Sequence, residues 1–341
     1  MPDIPGRGRR EDNEIEPKPF GKVRLRRGKS IRSVTPHNQF RRGTYTGDLD
    51  CTLIAKRPLR VGSGIYELIE SGPFHGIVLA DGNVVLPGTS LKGAIRATAE
   101  AISDSCVRIT DPGKRLDERL SQPGASACRE VKSKHRDSKA ARAGAATLCV
   151  CCSIFGGLGY QGRMSFSDAT LVAGGTLFHQ IPAPYSPQER AGGYKDNHGG
   201  YDGRKFYYHG EPISADRGEP YLVIREESEL DFVMRFENLT AEEFCLVLTA
   251  LGMFDDIVIK IGGGKQAMLG SAEIWPNRLE LRTPESFENF AGGSTVIEEN
   301  VLDYLRDLVE EKRELVNEEA LDELLDIWEW PSSRKAPLGV Y

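Results

Sequence analysis

The sequence predicts an α+β fold, in which helices cover one face of a β-sheet. In residues 47–64 and 229–239, apolar side chains alternate with polar ones, as they do in half-buried strands. In residues 86–102 and 239–254, the apolar residues recur at helical spacing instead. The order along the chain is strand, hairpin, helix, long loops, strand, helix and strand. This order indicates a sheet with its helices on one face.

The first half of the chain begins with the strand predicted within residues 47–64, and a loop containing glycine follows it. Asp81 and Gly82 then separate two apolar runs, which is typical of a tight hairpin turn. Residues 86–102 begin a helix, for which Thr89 or Ser90 is the expected N-terminal cap because either hydroxyl can accept a backbone hydrogen bond.

The second half contains two polar segments without clear periodicity, residues 104–147 and residues 183–220, which we expect to be loops. Residues 162–177 lie between them and resemble a strand in their pattern. Thr240 and Glu243 have the spacing of a capping box and predict the start of the second long helix. A glycine loop and a last strand end this part of the chain.

Composition divides the chain into three predicted regions. Residues 1–46 form a basic N-terminal arm, residues 47–280 form the main domain with an insertion at 104–152, and residues 281–341 form an acidic helical tail. The apolar runs are shorter than the ~18 residues that cross a bilayer. The N-terminus lacks the apolar stretch of a secretory signal. We therefore expect a cytoplasmic protein with no membrane partner.

The charges are distributed very unevenly along the chain. Residues 17–47 contain nine basic and no acidic residues. Residues 284–329 contain fifteen acidic and three basic residues, a net charge of −12. Because the whole chain carries −6, the rest of it carries +6. A basic body with an acidic appendage is compatible with RNA binding, although an ordinary solvated tail would give the same pattern.

Eight short motifs follow one another in an order that is informative as a set. They are TPHNQF (35–40), GTYTGDLDCTLIAKRPLRVGSG (43–64), LPGTSLKG (86–93), CVCCSIFGG (149–157), GRMSFSDA (162–169), GRKFYYH (203–209), FENLTAEEF (236–244) and IGGGKQAMLGSAEI (261–274). Together they resemble the RAMP superfamily of CRISPR effector subunits, over about residues 35–280. The GRKFYYH and FENLT motifs are similar to those of proteins associated with type III systems.

The resemblance implies an RRM-like (ferredoxin-like) core with thumb and zinc-knuckle insertions. It also implies a ribonucleoprotein of antiviral defence, in which the chain binds CRISPR RNA and target RNA as part of the backbone of a type III effector complex. Its protein partners would be other RAMP subunits and the large subunit of that complex.

Three segments supply the residues predicted to bind RNA. The helix start combines backbone N–H groups with a cation, the 203–209 motif interleaves cations with aromatic rings, and the glycine loop permits close backbone approach. The predicted residues are Ser90, Lys92, Arg96, Arg204, Lys205, Tyr207, Tyr208, His209, Gly262, Gly263, Gly264 and Lys265. The helix start lacks the spacing of a phosphate-binding loop of NTPases, which argues against an NTPase.

Cys149 and Cys152 have the C-x-x-C spacing of a zinc knuckle, and two further ligand types, Cys128 and His135, lie upstream. These four residues predict a structural zinc site, with Cys106 as the alternative fourth ligand. Cys151 is expected to face the core. A cluster of reduced, packed cysteines would give the same spacing without a metal.

Cleavage of RNA is a second possible function. In RAMP subunits that cut target RNA, an aspartate lies between the first strand and the helix start, where this chain offers Glu67, Glu70 and His75. Asp81 is better explained as a turn residue. A divalent metal such as Mg²⁺ would be required by the family analogy, or Glu70 or His75 could act as a base on a 2′-hydroxyl. No constellation of His, Tyr and Lys indicates a nuclease that processes CRISPR transcripts.

Overall fold

The computed structural model describes residues 18–26, 28–70, 72–107, 120–129, 131, 147–181, 196, 198–214, 218–283 and 293–335. The strands are β1 Phe20–Arg24, β2 Ile31–Ser33, β3 Tyr45–Ala55, β4 Gly62–Ile69, β5 Gly72–Ile77, β6 Leu79–Ala80, β7 Asn83–Leu86, β8 Thr147–Cys149, β9 Gly156–Gly157, β10 Tyr160–Gln161, β11 Met164–Phe166, β12 Ala169–Ala173, β13 Thr176–Ile181, β14 Gly203–Tyr207, β15 Glu219–Ile224, β16 Glu229–Leu239, β17 Ile259–Lys260, β18 Ser271–Leu281 and β19 Thr295–Ile297. The helices are α1 Gly88–Ala101, α2 Val150–Phe155, α3 Ala241–Ala250, α4 Val301–Val309 and α5 Glu318–Ile327. This mixture confirms the predicted α+β class.

The central sheet is antiparallel, with the strand order β17-β18-β3-β16-β12-β7-β6. Strand β3 lies in its middle and pairs with β16 on one side and β18 on the other along most of its length. Leu49, Cys51 and Leu53 of β3 are almost completely buried. The predicted alternation therefore places one face of the sheet in the core.

The order of the elements along the chain is β3, α1, β12, β16, α3 and β18, and the four strands are adjacent as β18-β3-β16-β12. Helices α1 and α3 contact each other, and Leu91, Ile95 and Phe244 on them are fully buried. The capping box at Thr240 and Glu243 is present, as predicted. The core thus lies between the sheet and these two helices.

The predicted cap of α1 is wrong. Its N-cap is Pro87, and neither Thr89 nor Ser90 caps the helix; instead, the backbone N–H of Gly88 donates to Asp168 Oδ1 at 2.8 Å. Asp168 follows β11, so its carboxylate reaches the helix start from the neighbouring part of the sheet. A distant carboxylate satisfies the helix N-terminus, which local sequence cannot indicate.

The segment between β3 and α1 is more ordered than the predicted loop. Strands β4 and β5 form a hairpin, and they join β15 and β13 in a second sheet of order β13-β15-β5-β4. Strands β6 and β7 form the predicted hairpin, with Asp81 at φ 49° and Gly82 at φ 81° in its turn. Positive φ at both positions is what a two-residue turn of this kind requires.

The described parts of the terminal regions belong to the folded body. Strand β1, from the predicted arm, pairs with β14, from a predicted loop, and α5 packs against this pair. Val23 is fully buried, and the rings of Phe206 and Trp328 meet edge to face at 5.3 Å. Helix α4 packs against β18 and α3. The helices predicted in the acidic tail are present, and they complete the core.

Candidate functional site

A cavity of about 510 Å³ opens between α1, β14 and the glycine loop. Its walls combine aromatic and aliphatic side chains with four basic residues. The lining residues are Leu25, Ala94, Ala97, Thr98, Val107, Leu120, Tyr201, Gly203, Arg204, Lys205, Phe206, Tyr207, Lys260, Lys265 and Trp328. Four of the residues predicted to bind RNA are among them: Arg204, Lys205, Tyr207 and Lys265. Because three of the lining residues are lysines, we call this space the lysine cavity.

Two lysines of the lysine cavity are unusual in their surroundings. Lys260 is buried, and its ammonium donates to the carbonyl of Met268 at 3.2 Å and to Ser271 Oγ at 3.1 Å. Burial, together with repulsion by Lys265, lowers the pKa of Lys260 to about 7. Burial also lowers the pKa of Lys265, which makes no hydrogen bond or ion pair within the described residues. No carboxylate among the lining residues neutralises Lys260 or Lys265.

The other predicted cations of this region are held by protein groups. Arg204 pairs with Glu100 at 2.9 Å and donates to the carbonyl of Cys106. Arg96 shares the same carboxylate at 2.8 Å and also donates to the carbonyl of Gly156. Glu100 is therefore a common counter-ion that fixes both guanidinium groups beside the cavity and the cysteine cluster described below.

Several predicted RNA-binding residues are turned inward. Lys92 donates to the carbonyl of Met164 at 2.7 Å, and burial lowers its pKa. His209 is fully buried, with Nδ1 at 2.8 Å from Ser271 Oγ and Nε2 at 2.9 Å from the carbonyl of Val258. Burial lowers the pKa of His209 to about 3. His209 is therefore not available to stack on a base, whereas Lys92 is half-buried and has one of its N–H groups on a backbone carbonyl.

The glycine loop closes on the protein's own backbone. Gly263 donates to the carbonyl of Arg60 at 2.9 Å, and a side chain at Gly262, whose φ is 82°, would collide with that carbonyl. Gly264 also adopts positive φ. The glycines are therefore explained by a tight approach to Arg60, and the predicted close approach of RNA is not needed to account for them.

Ser90 and Tyr208 lie apart from the lysine cavity. Ser90 is exposed on the first turn of α1. The ring of Tyr208 is covered by the guanidinium of Arg334, 4.4 Å from its centroid. The structure therefore brings together only part of the predicted set.

A second, open groove of about 920 Å³ was not expected from the sequence. It is lined by His37, Asn38, Gln39, Phe40, Arg42, Thr46, Arg235, Phe236, Glu237, Asn238 and Arg282. Asp48 pairs with both Arg235 and Arg282, whereas Arg42 is exposed and makes no contact of this kind within the described residues. We call it the arginine groove. In the sequence, only the motif at residues 35–40 indicated this region. The residues that complete the groove come from strands that are distant in sequence.

Four cysteines form a compact cluster, whose sulfur atoms all lie within 4.8 Å of one another. They are Cys106, Cys128, Cys149 and Cys152. The sulfur atoms of Cys106 and Cys152 are 3.5 Å apart, and the backbone N–H of Cys149 donates to Cys128 Sγ at 3.2 Å. Hydrogen bonding among these thiols lowers the pKa of Cys128 to about 7 and that of Cys149 below its usual range, and it raises the pKa of Cys106 and Cys152.

This cluster can hold a metal ion. Four thiolates around a tetrahedral ion, each at about 2.3 Å, lie about 3.8 Å from one another, which is close to the spacing observed. Arg96 Nη2 lies 3.5 Å from Cys152 Sγ and supplies positive charge beside the thiolates. Cys106 occupies the fourth position, and His135 lies outside the described residues. Cys151 is buried outside the cluster, 3.6 Å from Ser103 Oγ, as expected.

The candidate catalytic residues are not gathered in one place. Glu67 and His75 lie on the paired strands β4 and β5, where Tyr66 is opposite His75, so that Glu67 points to the other face. Glu70 is at the hairpin end, four residues beyond Tyr66, or roughly 13 Å along the strand. Asp81 is in its predicted turn. The three predicted groups cannot act on one bond together.

His75 instead meets residues of β15. Its Nε2 lies 2.6 Å from Glu219 Oε2, and the Tyr221 hydroxyl donates to the same oxygen at 2.9 Å. The ring of His75 stacks on Tyr221 at 4.0 Å. Hydrogen bonds from His75 and Tyr221 lower the pKa of Glu219. This histidine–carboxylate pair was not predicted, because 144 residues separate its members.

The fold defines an α+β protein built on one large antiparallel sheet. The family model of the RAMP superfamily matches residues 52–273, and the chain therefore belongs to that superfamily. A solved structure titled "Type IV-B CRISPR Complex" is similar at 15% sequence identity, with a TM-score of 0.36, over 67% of this chain and 90% of that chain. No curated protein matches significantly. Within the described residues, no helix is long and apolar enough to cross a membrane.

Proposed function

We propose that this RAMP protein is an RNA-binding subunit of a CRISPR effector complex, in which it holds CRISPR RNA and target RNA beside other subunits. A complex of type III is supported by the GRKFYYH and FENLT motifs. The strand order β18-β3-β16-β12, with α1 and α3 as the connections, supports an RRM-like core. The β4–β5 hairpin and the segment around the cysteine cluster support the proposed thumb and zinc-knuckle insertions.

The observation that carries RNA binding is the arginine groove. Three arginines line it against one lining carboxylate, Glu237, and amide and aromatic side chains lie between them. Such a mixture suits a single strand, because cations follow the phosphates while rings and amides meet the bases. Asp48 holds Arg235 and Arg282 in place and, as a consequence, its pKa is lowered despite its burial.

The test is binding of fluorescently labelled single-stranded RNA to the purified full chain, measured by anisotropy over a series of salt concentrations. Arg42→Gln should weaken binding and reduce the slope of log K against log salt by about 0.7, because one phosphate contact is lost. Arg306→Gln, on α4 and outside the groove, is the matched control. If both variants bind as the wild type does, the groove is not the RNA site.

We propose zinc as the ion of the cysteine cluster, because four thiolates in tetrahedral spacing are the ligands it prefers. The ion would be held by Cys106, Cys128, Cys149 and Cys152. It would cross-link the insertion to α1 and α2. The ion would have no role in catalysis, since all four positions are protein ligands.

An endoribonuclease is the second candidate, and the pairing of His75 with Glu219 favours it. His75 would accept the 2′-hydroxyl proton, the oxygen would attack the adjacent phosphorus, and the bond to O5′ would break. The products would be a 2′,3′-cyclic phosphate and a 5′-hydroxyl, whose proton comes from water. No metal is needed for this step, although Mg²⁺ would serve the acid-dependent alternative at Glu67 or Glu70.

Cleavage is tested on target RNA with the assembled complex and with variants His75→Ala, Glu67→Ala and Glu70→Ala. The control is His198→Ala, which changes a histidine outside the second sheet. Two results together would support cleavage by the pair of His75 and Glu219. The wild type should give the cyclic-phosphate product, and one regular cut should be lost in the His75 variant alone. An identical cleavage pattern in all variants would eliminate these residues as the catalytic groups.

A further inference from the structure

The lysine cavity contains a charge imbalance that requires an explanation. Lys260 and Lys265 both line it, and the charge of Lys265 raises the cost of charging Lys260. Lys260 has only neutral acceptors, and Lys265 has no partner within the described residues. An ammonium group that is removed from water is normally paired, because desolvation disfavours an unpaired charge. An anion seated between them would offset this cost.

The aromatic residues that line the lysine cavity are suited to a flat ring. Tyr207 and Phe206 come from β14, and Trp328 lies against them from the end of α5, with its Nε1 donating to the carbonyl of Tyr207 at 3.2 Å. The indole is thereby fixed in orientation. Arg204, held by Glu100, adds a guanidinium to the lining. Aromatic walls beside fixed cations are the usual surroundings of a base and its phosphate.

We propose that the lysine cavity binds one phosphorylated nucleoside, with its phosphate at Lys260 and Lys265 and its base against Tyr207 and Trp328. The volume of about 510 Å³ falls within the range of small-molecule sites, about 300–1,000 Å³, and admits one nucleotide. The ligand is either a single nucleotide of an RNA strand or a free mononucleotide. This inference deepens the RNA-binding function proposed above, because it names a site for one nucleotide away from the arginine groove.

The site has its own pH dependence. The pKa of Lys260 is lowered to about 7, and only the protonated ammonium attracts phosphate. Affinity is therefore present below this pKa and falls as pH rises through it. A bound phosphate shifts the midpoint upward, because the anion stabilises the charged form. The pKa values of Lys265 and Lys205 are also lowered by burial, and repulsion by Arg57 contributes to the lowered pKa of Lys260.

The experiment titrates the full-length protein with 5′-AMP, adenosine, inorganic phosphate and short single-stranded RNA, and follows heat and thermal stability. AMP should bind and raise the melting temperature, whereas adenosine and phosphate alone should bind more weakly. Lys265→Gln and Lys260→Met should each weaken AMP binding by about tenfold. Lys312→Gln, an exposed lysine far from the cavity in sequence, should leave it unchanged. Comparable melting temperatures without ligand will show that each variant is folded.

Together, the results distinguish a free mononucleotide from a nucleotide within an RNA strand. They also distinguish the nucleotide site in the lysine cavity from the RNA-binding function proposed above. AMP binding that depends on Lys265 supports the cavity even if RNA does not bind, in which case only the RNA-binding function fails. RNA binding that depends on Lys265, without AMP binding, supports the cavity as a site for a nucleotide within a strand. RNA binding that depends on Arg42 but not on Lys265, or phosphate binding as tight as that of AMP, overturns the inference.

The pH series provides a second readout. AMP affinity should decrease between about pH 6 and about pH 8 in the wild type. The decrease should disappear in Lys260→Met, which retains the titration of AMP itself and so corrects for it. An unchanged pH profile in this variant would contradict the assignment of Lys260 to the phosphate.

Discussion

Lys92, Lys260 and Lys265 show how differently the same side chain can be used within one protein. Lys92 donates to a backbone carbonyl, and Lys260 is buried against neutral acceptors. Lys265 makes no hydrogen bond or ion pair within the described residues. The sequence predicted Lys92 and Lys265 as RNA-binding cations and did not single out Lys260. They differ in how deeply the side chain is buried and in the acceptors that the ammonium meets.

The choice between Cys106 and His135 as the fourth ligand is also a question of individual residues. Cys106 lies just beyond α1 and meets the other three sulfur atoms where α2 packs against that helix. Its separation from Cys149 in sequence matches no common zinc motif.

Elemental analysis of protein purified without chelator should find about one zinc ion per chain, because four thiolates complete a tetrahedral site. Cys106→Ser should reduce the zinc content markedly and make residues 104–152 more sensitive to protease. Cys151→Ser is the matched control, since Cys151 is equally buried but lies outside the cluster. Metal-free wild-type protein would leave the packed-cysteine explanation as the correct one.

Among the elements, α5 and β1 form the least expected pair. The acidic helix packs on the basic strand, and Glu323 accepts from both the backbone and the guanidinium of Arg24, at 2.7 and 2.8 Å. Glu319 pairs with Arg26 at 3.1 Å. Part of the positive charge that suggested RNA binding is therefore neutralised within the chain.

The double variant Glu319→Gln/Glu323→Gln should bind RNA several-fold more tightly at low salt, because Arg24 and Arg26 are released from their partners. Its log K should also decline more steeply with log salt, by about 1 unit of slope. Asp322→Asn/Asp326→Asn removes the same charge from exposed positions of α5 without a described ion pair and serves as the control. Equal effects in both double variants would indicate net charge alone, and not the release of these arginines.

At the scale of the whole molecule, the N-terminal and C-terminal segments share one hydrophobic core with the central sheet. Val23 from β1, Leu53 from β3, Leu305 from α4 and Leu324 from α5 all belong to it. The three regions predicted from composition are therefore continuous in space within the described residues. Removing the tail would expose apolar surface of the body, because α5 covers β1 and β14.

Trp328→Ala should reduce the free energy of unfolding by about 3–5 kcal/mol, because it leaves a cavity against Phe206. Trp275→Ala provides the comparison, since Trp275 is 47% exposed and its replacement should cost less than about 1 kcal/mol. Urea unfolding followed by circular dichroism measures both. A small effect of Trp328→Ala would mean that the tail is a separate appendage after all.

The sequence by itself determined the α+β class, the long strands β3 and β16, the capping box of α3 and the hairpin turn at Asp81 and Gly82. Each depends on residues close together in the chain, whose periodicity or turn chemistry is local. Its ordered motifs also indicated the superfamily. Only the tertiary structure decided which groups meet: Asp168 at the start of α1, Cys106 in the thiol cluster and Glu219 at His75. These contacts join distant segments, and burial, which determines charge and access there, is a property of the packed molecule and not of any short stretch of sequence.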